Sequence, residues 1–252
     1  MRFAIITGVS KGLGEAAAKI FMESGIHVVG VSRSNNETLE KYASEHDVTF
    51  QHVSCDLGDP RKTEDAFTQI SRDILSRKPS TVYLINNAAV LEPIGKSMAI
   101  KGSDLAYHVQ VNTVAPMIIT NLFLQHATEL DIPLISTTIT SGAAERPMYG
   151  WSAYCSTKAS INMYTQTAAL EQDQLKTQNK VIAFSPGVMD TNMQEKIRST
   201  SKNEFADVEK FKEYKEKNML KSPDTVAGVL VDILTDETGI INGKIYSVKD
   251  YL

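Results

Sequence analysis

Short apolar runs rich in β-branched residues alternate with longer segments of helical period along this chain. Seven runs read as strands: Phe3–Thr7, Ile26–Ser32, Val48–Val53, Thr81–Asn86, Pro133–Thr140, Lys180–Ser185 and Lys244–Val248. Many are apolar at consecutive positions, the pattern of strands covered on both faces. Between them, Leu13, Ala16, Ala17, Ile20 and Phe21 fall on one face of a helix that Gly25 stops. Ser222-Pro223-Asp224 supplies an N-cap, a first-turn proline and an acidic first turn for a helix through Leu234. Strands alternating with helices imply right-handed crossovers and a parallel sheet. The alternation uses residues 1–252, so the expected architecture is α/β: a single doubly wound domain, a seven-stranded parallel sheet with helices on both faces. One stretch departs from it. Met189–Lys221 carries many charges of both signs and few strand formers. It reads as a solvated helical excursion or, for residues 190–221, as a substrate lid, because it leaves the carboxyl end of the sixth strand, where open α/β sheets bind ligands.

Composition narrows the function. Hydrophobic residues make up 42% and charged residues 22% of 252, a globular balance that excludes a disordered chain. A net charge of −4 argues against nucleic-acid and anionic-membrane partners. Two cysteines, Cys55 and Cys155, exclude a disulfide framework and a Cys-rich metal site. Cys155 reads as a buried thiol. The five histidines lack ligand spacing, so no metal is expected. No apolar run approaches the roughly 20 residues of a membrane helix, and the start of the chain lacks a signal-peptide pattern. The expected compartment is the cytoplasm.

Thr7-Gly8-Val9-Ser10-Lys11-Gly12-Leu13-Gly14 joins the first strand to the first helix. Gly8 permits a turn other residues resist. Gly12 and Gly14 let the backbone approach a pyrophosphate, which the amides of Ser10–Gly14 at the helix N-terminus then face. The loop therefore predicts a Rossmann-type dinucleotide site. An acidic residue ending the second strand would hold the 2′-hydroxyl of NAD. Here the strand ends Val31-Ser32-Arg33-Ser34, with no acidic residue before Glu37. Arg33 and Lys11 suit a 2′-phosphate, and the predicted cofactor is NADP(H).

Tyr154 and Lys158 lie four positions apart and share a face of one helix. A phenol ionises near pH 10, too high for easy acid–base exchange at neutral pH. A cation about 4 Å away contributes on the order of 4 kcal/mol toward ionisation at an effective dielectric near 20. Lys158 is therefore expected to lower the Tyr154 phenol. Ser141, 13 residues before Tyr154, ends the fifth strand, where its hydroxyl can hold a carbonyl oxygen beside the phenol.

Together, Thr7–Gly14, Asn86-Asn87-Ala88-Ala89, Asn112, Ser141, Tyr154-x3-Lys158 and Pro186-Gly187 resemble the short-chain dehydrogenase/reductase family over essentially the whole chain. The resemblance implies Tyr154 as acid–base, Lys158 as partner of the nicotinamide ribose and tuner of the phenol, Ser141 as orienter of the carbonyl, and Asn112 as anchor of a water in a proton relay. It also implies contacts to the cofactor from Asn87 and Ala88, from Asp56 and Leu57 at the adenine, and from Val188 and Thr191 near the carboxamide. Ala89 replaces the family's glycine. The long helices around 103–130 and 152–175 resemble the family's dimer-forming pair and imply a homodimer.

Ile139–Ala144, Gly150–Cys155, Phe184–Asp190 and Gly243–Tyr246 resemble a sepiapterin-reductase-like branch that includes reducers of 1,2-dicarbonyls. This likeness implies an NADPH-dependent carbonyl reductase acting on one carbonyl of such a small molecule to give a hydroxyketone. Two alternatives stand beside it: a pterin reductase, and a regulator that binds NADP(H) without chemistry. The branch's pterin enzymes are expected to use an acidic residue near the last strand. Ser247 occupies that place here, with Asp250 nearby. Leu91, Met148, Tyr149, Trp151, Met189 and Met193 read either as core or as the walls of an apolar pocket for a bulky ketone.

Overall fold

A computed structural model describes residues 1–252. The strands are β1 (Arg2–Thr7), β2 (His27–Ser32), β3 (Phe50–Ser54), β4 (Thr81–Asn86), β5 (Leu134–Ile139), β6 (Lys180–Ser185) and β7 (Ile245–Ser247). They form one sheet in the order β3-β2-β1-β4-β5-β6-β7, every pair parallel. The helices are α1 (Gly12–Glu23), α2 (Glu37–Glu45), α3 (Pro60–Ser76), α4 (Gly102–Val109), α5 (Ala115–Glu129), α6 (Ser152–Leu175), α7 (Asn192–Ser199), α8 (Val208–Glu216) and α9 (Pro223–Thr235). The strand order reverses between β1 and β4, and this switch point opens a crevice at the strands' carboxyl ends.

Side-chain alternation divides the core. Ala4 and Ile6 of β1 join Phe21 of α1 and Leu230 of α9 on one face of the sheet. Phe3 and Ile5 join Phe67 of α3 and Phe123 of α5 on the other. Both faces are covered, which is why the strands lack a polar period.

Several predicted strands are shorter than their apolar runs, and helix endings explain two of them. Val48 donates its amide to Ala43 and so closes α2, which leaves β3 to begin at Phe50. Ile26 likewise donates to Phe21 at the end of α1. The expected helix over 103–130 is interrupted by a π-turn at Gln110–Val114. Pro116 follows it and has no N–H for the Asn112 carbonyl four residues earlier, a local reason for a break in the regular ladder.

The segment after Met189 is helical, as expected, but more than a solvated excursion. Phe205, Val208 and Phe211 turn inward and form a third apolar cluster with Leu91, Trp151, Tyr154 and Ile197. The Phe205 ring stacks on Trp151 with centroids 4.3 Å apart. Lys196 of α7 pairs with Glu92 at 2.7 Å, and Met189 bridges to Lys221 at the base of the excursion.

Candidate active site

A cleft of about 850 Å³ runs across the carboxyl ends of β1, β4, β5 and β6, within the range of small-molecule sites. One end is the glycine loop. Gly8 and Gly12 adopt φ of +75° and +64°, a region that other residues resist. A Cβ on Gly14 would stand 2.3 Å from the Gly8 carbonyl oxygen, so only glycine lets α1 start this close to the loop. Gly8, Ser10, Lys11, Gly12 and Leu13 line the cleft, whereas Gly14 supports the loop from behind. The loop is braced across the switch point. Thr7 Oγ1 accepts from the amides of Asn87 and Ala88 at 2.9 Å, and Asn87 Nδ2 donates to the carbonyls of Thr7 and Gly8.

Arg33, Ser34, Asp56 and Leu57 line the next part of the cleft, as does Tyr107, which the sequence reading did not single out. The Tyr107 ring lies on Gly58, where a Cβ would come within 2.2 Å of it. Its hydroxyl accepts from Arg33 Nη1 and donates to Asp56 Oδ1, both at 3.5 Å. Asp56 also accepts from the Gly58 amide at 3.0 Å. Lys11 and Arg33 are exposed and form no ion pair, so both are available to an anion.

Ser141, Tyr154 and Lys158 meet in the middle of the cleft. Ser141 caps a short turn after β5 by accepting from the Ala143 amide at 3.2 Å. Lys158 is only 3% exposed, and its ammonium donates to the Ile139 carbonyl at 2.8 Å. Burial pulls Lys158 down to about 8. Burial also pushes the Tyr154 phenol up to about 12, with a hydrogen bond to Ser141 acting in the opposite direction. The expected depression of the phenol by Lys158 is therefore absent: the ammonium is engaged by the Ile139 carbonyl, loss of water dominates, and the phenol holds its proton at neutral pH. Val188 and Thr191 line the far side of this region.

Asn112 is buried beneath the cleft and does not line it. Its Oδ1 accepts from the Val90 amide and its Nδ2 donates to the Val90 carbonyl, both at 2.8 Å. The side chain thus fixes the strand-like loop after β4, whose Ala88, Ala89 and Val90 form part of the lining.

The remaining lining mixes apolar side chains with the charged Glu145, Arg146 and Lys210. Met148, Trp151, Met189 and Met193 contribute as expected, joined by Ile197, Phe211 and Tyr214 of the excursion. Two expected wall residues stand elsewhere: Leu91 is buried in the third cluster, and Tyr149 projects outward at 53% exposure. Ser247 and Lys249 reach the cleft, but Asp250 does not. Cys155 is half-buried and free, and it lies outside the lining.

The family model for short chain dehydrogenases matches residues 2–202. A benzil reductase ((S)-benzoin forming) of Bacillus subtilis strain 168 is 39% identical over 252 residues, covering 100% of both chains. Its namesake from Bacillus cereus is 38% identical over 237 residues, covering 94% of this chain and 95% of the relative. A short-chain dehydrogenase/reductase from Saccharomyces cerevisiae superposes with a TM-score of 0.82 over 98% of this chain and 96% of the other. At 24% identity that likeness concerns the fold.

Proposed function

This chain belongs to the short-chain dehydrogenase family, and on that footing we propose that it is an NADPH-dependent carbonyl reductase that reduces one carbonyl of an aromatic 1,2-dicarbonyl such as benzil to the hydroxyketone, benzoin. The observation that carries the reading is the buried, protonated Tyr154 phenol beside Ser141 and Lys158, in a cleft walled by methionine and aromatic side chains. The names of the two Bacillus relatives point the same way.

The residues fit a dinucleotide. Gly8 and Gly12 hold positive φ and Gly14 packs against the Gly8 carbonyl, which shapes the loop whose backbone amides a pyrophosphate needs, and Ser10, Lys11 and Leu13 complete it. Arg33, Ser34 and Lys11 would hold a 2′-phosphate, Asp56 and Leu57 the adenine, and Asn87 and Ala88 the adjoining ribose. Lys158 would meet the nicotinamide ribose, and Val188 and Thr191 the carboxamide. When bound, NADPH supplies the hydride. The chain's own residues manage the oxygen. Ser141 donates a hydrogen bond to the carbonyl, polarising it and fixing it beside Tyr154. As the carbonyl carbon gains hydride, its oxygen takes up the π electrons and then the phenol proton. Lys158 stabilises the phenolate left behind, and Asn112, through its place in the kinked helix, supports the path by which that proton is replaced. The remaining ketone is less electrophilic than the dicarbonyl, so reduction stops after one step.

Methionine and tryptophan surfaces adapt to flat rings. Ser247 and Lys249 bring no carboxylate to the cleft from the C-terminal strand. A pterin's donors would there lack that partner, at about 1–3 kcal/mol each. Residues 190–221 act as a lid in this reading. Exposed Met163 and Leu170 on α6 support a homodimer, and the cofactor choice suits a cytoplasmic reductase.

The test is kcat/KM for benzil and sepiapterin, with NADPH and NADH, and chiral analysis of the product. Benzil with NADPH is expected to be the best pair, giving benzoin. Preference for sepiapterin, rapid diol formation, or NADPH binding without turnover would overturn it.

A further inference from the structure

His108 is fully buried in α4, two helical turns from solvent-facing Lys101, and no step above uses it. Its Nδ1 lies 2.7 Å from the backbone carbonyl of Glu92. A carbonyl only accepts, so the ring proton belongs on Nδ1 and Nε2 is left as a lone pair. Nε2 stands 3.0 Å from Asn112 Nδ2, which donates to it. The Asn112 amide is then complete: one proton goes to the Val90 carbonyl, the other to His108, and the oxygen accepts from the Val90 amide. The same Nε2 lies 3.1 Å from Thr157 Oγ1 on α6 and, as a lone pair, accepts the one hydroxyl proton, for which the carbonyls of Ala153 and Tyr154 at 3.0 Å compete. The imidazole also meets the Tyr154 ring edge-on, with centroids 6.2 Å apart.

We infer that His108 is a positioning residue: as a neutral, Nδ1-protonated imidazole it locks the loop after β4, the Asn112 turn and the turn of α6 bearing Tyr154 into one register. The inference deepens the proposed reduction and rests on Tyr154 as its proton donor. Three elements converge on this one ring, and no other side chain bonds to all three. A proton on Nε2 would set N–H against N–H at Asn112. Burial works against such a cation, and so does the charge of Lys158 on α6, while the carboxylate of Glu92, itself paired with Lys196 of α7, favours it.

Two substitutions separate the ring's halves. His108→Gln places an amide oxygen near the Nε2 position and keeps an acceptor for Asn112. His108→Asn keeps a donor near Nδ1 for the Glu92 carbonyl and gives up the acceptor. With benzil as probe, His108→Asn is expected to lose at least tenfold in kcat while its NADPH Kd, read by fluorescence, stays within twofold. His108→Gln is expected to recover most of that loss. Equal impairment of the two variants, or wild-type kcat in His108→Asn, would overturn the inference. A second measurement uses the wild-type protein alone and is independent of turnover. Its 15N imidazole spectrum at pH 7.5 is expected to show His108 with a proton on Nδ1 and none on Nε2; a proton on Nε2 overturns the assignment. If the wild type reduces no dicarbonyl, the substrate reading fails, while the tautomer still decides the role of His108.

Discussion

Lys158 and Tyr154 stand one helical turn apart, yet the ammonium lies 5.6 Å from the centre of the phenol ring and is bonded to the Ile139 carbonyl. Both groups are buried, and burial moves them toward their neutral forms: the phenol up to about 12, the ammonium down to about 8. A reductase needs its proton donor protonated, so this arrangement favours carbonyl reduction at neutral pH. Tyr154→Phe keeps the ring and removes the proton. Reduction is expected to fall by at least about 10²–10⁴-fold, while NADPH titration shows nearly unchanged Kd. Activity within tenfold of wild type would assign the donor role elsewhere.

Burying Lys158 costs stability. Its folded value lies below the unfolded one of about 10.4, so between pH 8 and that value the unfolded chain binds more protons and stability rises with pH. Below pH 8 the full cost is present, on the order of 3 kcal/mol. Lys158→Met fills similar space without charge. It is expected to abolish activity yet raise Tm at pH 7, with the gain shrinking as pH approaches 10.5. A Tm lowered at pH 7 would mean that the Ile139 hydrogen bond outweighs desolvation.

At the other end of the cleft, Arg33 donates to the Tyr107 hydroxyl at 3.5 Å and faces no carboxylate. Arg33→Ala is expected to lower kcat/KM for NADPH at least tenfold and leave NADH within twofold. Tyr107→Phe retains the ring on Gly58 but releases Arg33, and a smaller loss confined to NADPH is expected. Side-by-side kinetics with the two cofactors settle both. Equal losses with NADH would assign these residues to general packing.

What the sequence revealed depended on how local the cause was. Gly8, Gly12 and Gly14 announce themselves because a positive φ or a forbidden Cβ requires glycine at that position. Tyr154 and Lys158 are legible because helical spacing alone puts them on one face. Tyr107 was not, since its value comes from meeting Arg33, Asp56 and Gly58, each on another segment. His108 showed nothing beyond its lack of ligand spacing for the same reason. The Asn112 π-turn had one readable sign, Pro116 four residues on, where the ladder lacks a donor. The mixed charges of 189–221 concealed Phe205 and Phe211, because a pattern dominated by solvated lysines and glutamates says little about which few apolar residues turn inward.

Those two phenylalanines lead to the last prediction, which concerns the proposed lid. Phe205 has no exposed surface and stacks on Trp151, but it does not line the cleft; Phe211, edge-on to both rings, does. Trp151 is thus held from behind by a residue that lies outside the cleft. Removing a buried Phe side chain costs about 3–5 kcal/mol where the core cannot collapse. Here the loss falls on the excursion, which attaches to the body through this cluster, the Lys196–Glu92 pair and the bridge at Met189. Phe205→Ala is therefore expected to loosen residues 190–221 more than the sheet. Hydrogen exchange should quicken in α7 and α8 and remain slow in β1, β4 and β5. KM for benzil should rise at least tenfold as the Trp151 wall becomes mobile, and NADPH Kd should change much less, since Arg33 and the glycine loop lie outside the cluster. Uniform acceleration of exchange across the whole sheet would show that the aromatic stack supports the entire fold, and the lid would then lose its separate identity.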